Sequence, residues 1–208
     1  MRLVCISDTH SLHAGVALPE GDILVHAGDV CNEGTFREAA EFFRWFGAIG
    51  QYRERVLIAG NHDLVFEDNP GAMLGLVPDS VTYLNDSGAM VGGLKFWGSP
   101  VTPYFFDWAF NRHEHQIGPH WDMIPAETEV LVTHGPPLGV LDRVQSGEQV
   151  GCPLLLRRVQ QIRPKVHLFG HIHEGYGEVD QDETRFVNAS VCTLNYEPNN
   201  LPIVVDLE

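Results

Sequence analysis

The sequence has few positively charged side chains. Its 208 residues include 13 lysines and arginines against 28 aspartates and glutamates, and the formal net charge is -15. A broad nucleic-acid-binding surface depends on Lys and Arg to neutralise phosphates, so this composition argues against such a surface. It does not argue against a small phosphate ester held by metal ions, because two divalent cations would reverse the local field.

Cysteine motifs and long hydrophobic runs are also lacking. The four cysteines are widely spaced and form no C-x-x-C pair. A chain of this size needs no disulfide framework, and we expect a reduced, cytoplasmic setting. The first apolar run spans only a few residues and ends in polar ones, so we expect neither a signal peptide nor a membrane span.

Internal repeats, low-complexity runs and interdomain linkers are missing as well. Hydrophobic residues make up 44% of the chain and charged residues 20%, which is ordinary for a globular protein. A chain of 208 residues fills one domain well and is short for two. We therefore predict a single domain over residues 1–208.

Short apolar runs recur along the chain, and they predict the fold class. Five of them lie at residues 3–6, 23–25, 56–58, 130–132 and 166–169. Runs of this length suit strands that are buried on both faces. Between the second and third runs, apolar residues follow a helical period that Thr35 or Asn32 could start. Strand, helix and strand in succession indicate a parallel crossover, so we predict an α/β fold with layers on a mostly parallel sheet.

Three further segments complete the predicted architecture. Residues 81–98 should form antiparallel strands joined by Asn-Asp-Ser-Gly and Gly-Gly turns. Residues 154–163 should form a second amphipathic helix, which Pro164 closes. The tail, at 184–192 and 202–208, should supply the final strands.

Polar residues follow each of the five apolar runs, at the edge where ligands bind in open α/β sheets. Asp8 and His10 stand two residues apart, so from an extended strand end they can face the same way, and His171 and His173 repeat that spacing. Oxygen and imidazole ligands suit Mn, Fe, Zn or related divalent ions. Glycines just before the polar residues allow the backbone to turn tightly beside such a site; they are Gly28, Gly60 and Gly170.

The polar motifs that follow these runs are Asp8-x-His10, Gly28-Asp29, Gly60-Asn61-His62-Asp63, His134 and Gly170-His171-x-His173. In this order they resemble the motif set of the calcineurin-like metallophosphoesterases, over residues 8–173. The stretches VHAGDV and VTHGPP, and the segment from WGSP to DWAFNR, further resemble its small metallophosphoesterase-domain-containing, cyclic-nucleotide phosphodiesterase-like branch. The resemblance implies an αββα sandwich, with mixed, mostly parallel sheets and flanking helices.

The resemblance also implies a centre of two divalent ions. One ion would take Asp8, His10, Asp29 and His173, and the other would take Asp29, Asn61, His134 and His171. Asp29 would bridge the ions, and a hydroxide spanning them would attack phosphorus near neutral pH. His62 would protonate the leaving oxygen or bind the oxyanion, with Asp63 orienting its ring. The alternative for Asp63 is a turn residue or helix cap.

Substrate contacts are expected from the aromatic-rich segment 99–112. Tyr104, Phe106 and Trp108 could form a wall on which a nucleobase stacks, or their rings could seal the core beneath a long loop. Arg112 is a candidate for a phosphate or carboxylate contact, with a surface salt bridge as the alternative. His13 follows the first motif and could line the pocket.

Other histidines are expected to have less direct roles. His26 and His167 lie inside apolar runs and should be packed or support the ligands from behind. His113, His115 and His120 lie in a polar stretch and should be on the surface.

The predicted function is metal-dependent hydrolysis of phosphodiester bonds in small substrates such as cyclic nucleotides, including 2′,3′-cyclic ones. The alternatives are a phosphomonoesterase or phosphoprotein phosphatase, and a nucleotide-binding scaffold with little turnover. The partner is therefore a small phosphate ester or nucleotide.

Overall fold

A computed structural model describes residues 1–207, and within them the chain forms thirteen strands and five α-helices. The strands are β1 (Arg2–Ile6), β2 (Ile23–Ala27), β3 (Glu54–Ile58), β4 (Thr82–Tyr83), β5 (Ser87–Val91), β6 (Leu94–Ser99), β7 (Thr102–Pro103), β8 (Asn111–Arg112), β9 (Val130–Thr133), β10 (Val166–Phe169), β11 (Gly177–Gln181), β12 (Thr184–Asn188) and β13 (Ile203–Asp206). The helices are α1 (Phe36–Ala48), α2 (Leu64–Asp68), α3 (Pro70–Leu74), α4 (Glu114–Asp122) and α5 (Pro153–Ile162). No helix among residues 1–207 is long and apolar enough to cross a membrane.

Most strands belong to two mixed sheets. The first has the order β13-β1-β2-β3-β4 and is parallel except for β13. The second has the order β11-β12-β10-β9-β6-β5, with four parallel central strands and an antiparallel strand at each edge. The mixed, mostly parallel sheets that the resemblance implies are confirmed, whereas the apolar runs by themselves indicated one sheet.

The two sheets pack face to face, with helices outside them. The inner layer contains Leu3, Cys5, Val25 and Val56 from the first sheet and Phe96, Val130, Val132 and Leu168 from the second. On β1, the alternate residues Val4 and Ile6 face the opposite way, toward α1. Helices α4 and α5 cover the outer face of the second sheet. Burial on both faces explains why the strands are continuous apolar runs, and the αββα sandwich is confirmed.

Of the two residues that the sequence offered as the start of helix α1, Thr35 is the one observed, and it forms a capping box with Glu38. The Thr35 hydroxyl accepts the Glu38 N–H at 3.3 Å, and the Glu38 carboxylate accepts the Thr35 N–H at 2.9 Å. The same carboxylate accepts the Ser11 hydroxyl at 3.0 Å and the Asn32 N–H at 3.1 Å. Although partial burial raises the pKa of Glu38, these donors outweigh it and bring that pKa to about 2. The cap of α1 therefore also ties down the loops that follow β1 and β2.

The segment predicted as antiparallel is only partly so. Strands β5 and β6 do pair antiparallel across the Gly92-Gly93 turn. Strand β4 instead pairs in parallel with β3, in the other sheet. The chain passes from one sheet to the other between Tyr83 and Ser87, and a two-residue strand carries too short a pattern to show which edge receives it. The second amphipathic helix is confirmed: Arg163 ends it in a left-handed conformation (φ 47), directly before Pro164.

Gly98 of β6 lies where the two sheets touch. A Cβ added there would be 2.5 Å from Leu84 Cβ and 2.6 Å from Ile58 Cγ2. We expect Gly98→Ala to lower the free energy of unfolding by about 1–3 kcal/mol, because the packed layers must shift apart. Urea denaturation measures the loss. Gly71→Ala on α3 is the matched control: its methyl meets open space, so it should be neutral or slightly stabilising. Equal stability of the two variants would contradict the expectation.

Candidate metal centre

Strands from both sheets end at one rim of the sandwich. Asp8, Asp29 and Asn61 follow β1, β2 and β3 of the first sheet, whereas His134 and His171 follow β9 and β10 of the second. The ligand edge is therefore shared by two sheets. Their ends are joined at Ser7, whose N–H donates to the Ala189 carbonyl at 2.8 Å and whose carbonyl accepts the Val191 N–H at 2.9 Å.

Asp8, His10 and His173 form the first cluster. Asp8 Oδ1 lies 3.4 Å from His173 Nε2, and the two imidazole Nε2 atoms of His10 and His173 are 3.3 Å apart. Asp29, His134 and His171 form the second cluster, in which Asp29 Oδ2 lies 3.3 Å from His134 Nε2. The resemblance assigns the first cluster to one ion and the second cluster to the other.

Asp29 and Asn61 complete the two groups. Asp29 Oδ2 is also 3.8 Å from His10 Nε2, so this carboxylate stands between the clusters. Asn61 Oδ1 lies 2.8 Å from His134 Nε2, on the side of the second cluster. All seven residues expected as ligands are thus brought together at this rim.

The donor set fits divalent ions. Ligand atoms about 2.0–2.2 Å from a common ion lie about 3.0–3.5 Å from each other, and the Asp8–His173 and Asp29–His134 pairs, at 3.4 and 3.3 Å, have that spacing. The Nε2 atoms of His10 and His173, 3.3 Å apart, have it as well. The other ring nitrogen of His10, Nδ1, is buried with no hydrogen-bond partner. Carboxylate and imidazole ligands without a thiolate suit Mn, Fe or Zn.

The backbone of this rim is strained. Asp8, His10, Asp29 and His171 have positive φ angles of 53°, 41°, 56° and 67°. Residues other than glycine rarely adopt this left-handed conformation, and its cost persists only where the surroundings impose it. The expectation that Asp8 and His10 project from an extended strand end is therefore wrong, since they converge through a left-handed turn. Hydrogen bonds hold that turn: Ser190 Oγ donates to Asp8 Oδ2 at 2.9 Å, and the His171 N–H donates to Asp8 Oδ1 at 3.0 Å.

Glycines let the backbone approach the ligands, as expected. A Cβ at Gly60 would collide with Asp29 Oδ1, and a Cβ at Gly170 would collide with Asp8 Oδ2. Gly28 adopts a φ of 98°, and its Cβ would lie 2.7 Å from His134 Nδ1. The fit leaves no room for a side chain at these three positions.

Burial and the carboxylates of Asp8 and Asp29 set the pKa values of the histidines at the rim. Burial opposes protonation of the His134 ring, but Asp29 outweighs it and raises the pKa of His134 to about 9. In the same way Asp8 overcomes burial and raises the pKa of His173 to about 9. His171 differs, because burial and then the neighbouring His134 lower its pKa to about 4. Protons and divalent ions therefore compete for His134 and His173.

His62 lies at the rim beside both His10 and Asp29, but Asp63 does not orient it. His62 Nδ1 is 2.8 Å from the Asn32 carbonyl, which orients the ring in place of Asp63. The fully buried Asp63 carboxylate accepts backbone N–H groups from Cys31 at 2.8 Å and Gly60 at 2.7 Å. Burial and then the Asp29 charge raise the pKa of Asp63 to about 7. Asp63 ties together the loops after β2 and β3, which is closer to the alternative role as a turn residue.

A cleft of about 650 Å³ opens from the metal rim. Its aromatic lining consists of Tyr104, Phe105, Trp108 and Tyr196. Trp108 stacks on His62 with ring centroids 4.3 Å apart. The expected aromatic wall is thus present with one exchange. Phe106 is 68% exposed at a left-handed turn (φ 54), and its neighbour Phe105 lines the cleft instead.

The structure does not bring Arg112 or His13 into the cleft. Arg112 Nη2 is 3.0 Å from Glu67 Oε1 of α2, so the salt-bridge alternative is the one observed. His13 lies in a short 3₁₀ turn, His13–Gly15, and its ring packs against Phe42 and Trp45 of α1 with centroids 5.4 and 4.8 Å away. Burial lowers the pKa of His13. Both expectations are wrong, because each side chain finds a partner on a helix outside the cleft.

Tyr196 is a cleft residue that sequence reasoning missed. Its ring centroid lies 4.7 Å from that of His10 and 5.5 Å from that of His173. The loop that carries it also supplies the Thr193 carbonyl, 3.0 Å from His173 Nδ1. No motif marks this loop, which reaches the rim only because β12 ends beside β10.

Comparison with known proteins agrees with this geometry. The chain is 42% identical to human "Metallophosphoesterase domain-containing protein 1" over 99% of its own length and 71% of the relative's. It is 38% identical to a UPF0046 protein of Caenorhabditis elegans over 98% of its own length and 74% of the relative's. The crystal structure of phosphopantetheinyl hydrolase from Mycobacterium tuberculosis shares the fold, with a TM-score of 0.65 and 15% identity over 93% of this chain and 90% of that one. The profile of the calcineurin-like phosphoesterases matches residues 1–175, and the chain belongs to that family.

Proposed function

We propose that the protein hydrolyses phosphodiester bonds of small substrates, such as cyclic nucleotides, at a centre of two divalent ions. The observation that carries the proposal is the pair of adjacent ligand clusters beside an aromatic cleft: Asp29 belongs to the second cluster, and its carboxylate also lies 3.8 Å from His10 of the first. Family membership supports metal-dependent phosphoester hydrolysis. The substrate and the number of ions rest on the geometry.

Each residue of the rim has a role in this proposal. Asp8, His10 and His173 would hold one ion, and Asn61, His134 and His171 would hold the other, with Asp29 close enough to contribute to both groups. Two bound ions lower the pKa of water and offset the charge on phosphoryl oxygens. The left-handed turns bring these side chains together without an ion or substrate, an arrangement that favours a preorganised site.

His62 is proposed to manage the proton of the leaving group. The Asn32 carbonyl accepts the Nδ1–H, so Nε2 is the nitrogen left to carry a second proton toward the leaving oxygen. Trp108 stacks on one face of the His62 ring and restricts its orientation at the cleft. A proton delivered there stabilises the oxygen as its bond to phosphorus breaks.

The cleft favours a phosphodiester with one negative charge. Within residues 1–207, its lining includes no Lys or Arg, while Glu148 and Glu174 stand on its wall. A monoester dianion or a phosphoprotein brings extra negative charge that no side chain offsets. The aromatic faces of Tyr104 and Trp108 suit the flat base of a nucleotide, and the cleft volume suits a ligand of that size.

Diester hydrolysis is tested with protein stripped by chelator and reloaded with Mn²⁺. We expect turnover of an aryl phosphodiester and of cyclic nucleotides, and slower turnover of the matched aryl phosphomonoester. Substituting Glu148→Gln together with Glu174→Gln should narrow the diester preference by restoring monoester turnover, since both charges on the wall are removed. Two bound ions without turnover of any ester would instead support a nucleotide-binding scaffold.

The role of His62 is tested by His62→Ala. We expect kcat to fall by about a hundredfold or more for a ribose leaving group, with both ions retained. The fall should be smaller for a nitrophenyl ester, whose leaving oxygen needs no proton. His115→Ala, at an exposed position of α4, is the control and should match the wild type. An equal fall in kcat for both leaving groups would show that His62 does not transfer the proton.

Metal binding should release protons and strengthen with pH. Because the pKa values of His134 and His173 lie at about 9 without metal, both rings are protonated at pH 7 and must lose a proton to bind an ion. Affinity should therefore rise about tenfold per pH unit for each displaced proton, until pH 9. Calorimetry in buffers of different ionisation enthalpy should report about one proton released per ion. Affinity that does not change between pH 6 and 8 would contradict this.

A further inference from the structure

Two histidines that belong neither to the cleft lining nor to the metal clusters lie next to the ligand loops, one in each sheet. His26 is in β2 and His167 is in β10, and both are fully buried. Each ring points to the outer face of its sheet. His26 packs edge-on against Phe42 of α1 at 5.1 Å, and His167 packs against Phe169 at 5.1 Å.

Each of these rings reaches a threonine that directly precedes an expected ligand histidine. His26 Nε2 is 3.0 Å from the hydroxyl of Thr9, which stands between Asp8 and His10. His167 Nε2 is 2.8 Å from the hydroxyl of Thr133, which precedes His134. In both sheets, the threonine of a Thr-His sequence is hydrogen-bonded to a buried histidine of a strand.

The neighbouring bonds decide which nitrogen carries the proton. The Gly28 N–H donates to His26 Nδ1 at 3.2 Å, so His26 carries its proton on Nε2 and donates to Thr9. The Thr133 hydroxyl donates to the Gly135 carbonyl at 2.8 Å, so it must accept from His167 Nε2–H. Both rings are therefore neutral Nε2–H tautomers. Burial, which lowers the pKa of each ring to about 3, favours this neutral form.

These bonds span the ligand residues. The His26 ring links the Asp8–His10 turn to Gly28, next to Asp29. In the second sheet, the Thr133 hydroxyl closes across His134 onto Gly135. A polar ring in an apolar layer is costly, and His167 Nδ1 even lacks a hydrogen-bond partner. Packing alone would be served better by a phenyl ring.

We propose that His26 and His167 are positioning residues, each of which holds one ligand loop of the metal centre through its threonine. His26 and Thr9 fix the left-handed turn of the first cluster, and His167 and Thr133 fix the approach of His134 in the second. The inference deepens the proposed function, on which it rests.

The decisive measurement is metal affinity, by two-site calorimetric titration with Mn²⁺. Thr9→Val keeps the shape of the side chain and removes the hydroxyl, and it should lower the affinity for one ion by about 10–100-fold. Thr133→Val should lower the affinity for the other ion by a similar factor. His10→Ala and His134→Ala identify which ion each variant affects. Thr9→Ser and Thr133→Ser retain the hydroxyl and should restore the affinity.

His26→Phe tests the ring itself, since it preserves packing against Phe42 and removes both hydrogen bonds. We expect the same loss of affinity as in Thr9→Val, and no further loss when the two changes are combined, because they break one interaction. Phe43→Leu in α1 is the control for a general loss of stability, and it should keep wild-type affinity. Ring ¹⁵N spectra of the metal-free protein should show His26 and His167 as Nε2–H tautomers.

Wild-type affinity in His26→Phe and Thr9→Val, or losses that multiply in the double variant, would overturn the proposal. So would ring spectra that show the other tautomer. If the wild type binds two ions but hydrolyses no ester, the proposed function fails while the affinity comparison still decides the role of His26 and His167. A wild type that binds no divalent ion would overturn both.

Discussion

The carboxylate of Asp29 is the charge on which the rest of the structure depends. It is buried between the two sheets, accepts the His62 N–H at 2.7 Å, and lies within 4 Å of His10 and His134. A buried carboxylate is tolerated only when positive charge and hydrogen bonds surround it. Because Asp29 follows β2 and His134 follows β9, this compensation fixes one sheet against the other at the ligand rim.

Other carboxylates organise the backbone around that charge. Asp63 accepts N–H groups from the loops after β2 and β3, and Glu38 accepts groups from the loops after β1 and β2. These bonds offset the cost of the left-handed turns at Asp8 and Asp29. The acidic side chains of the loops therefore have two roles: some belong to the candidate metal clusters, and others hold the backbone that positions those clusters.

The cleft above the rim divides the work between metal and protein. In the proposed function, bound ions would supply the positive charge at phosphorus, since the described lining includes no Lys or Arg. The chain supplies aromatic surface, from Trp108 on one side and Tyr196 on the other. Under the proposed function, such a site would favour a substrate with one phosphoryl group and a flat base, and it would repel a second phosphate.

The sequence by itself determined the chemistry of the centre. Asp, Asn and His that follow buried parallel strands collect where those strands end, and the resemblance of their motifs to a known family implied which seven of them would bind ions. For the start of α1 the sequence left Thr35 and Asn32 open, and the structure places the cap at Thr35. Only the tertiary structure decided that the ligands come from two sheets and converge through left-handed turns. It also decided that the Asn32 carbonyl, not Asp63, orients His62, and that Arg112 pairs with Glu67. These choices depend on contacts between residues far apart in the chain, which no local period or spacing records.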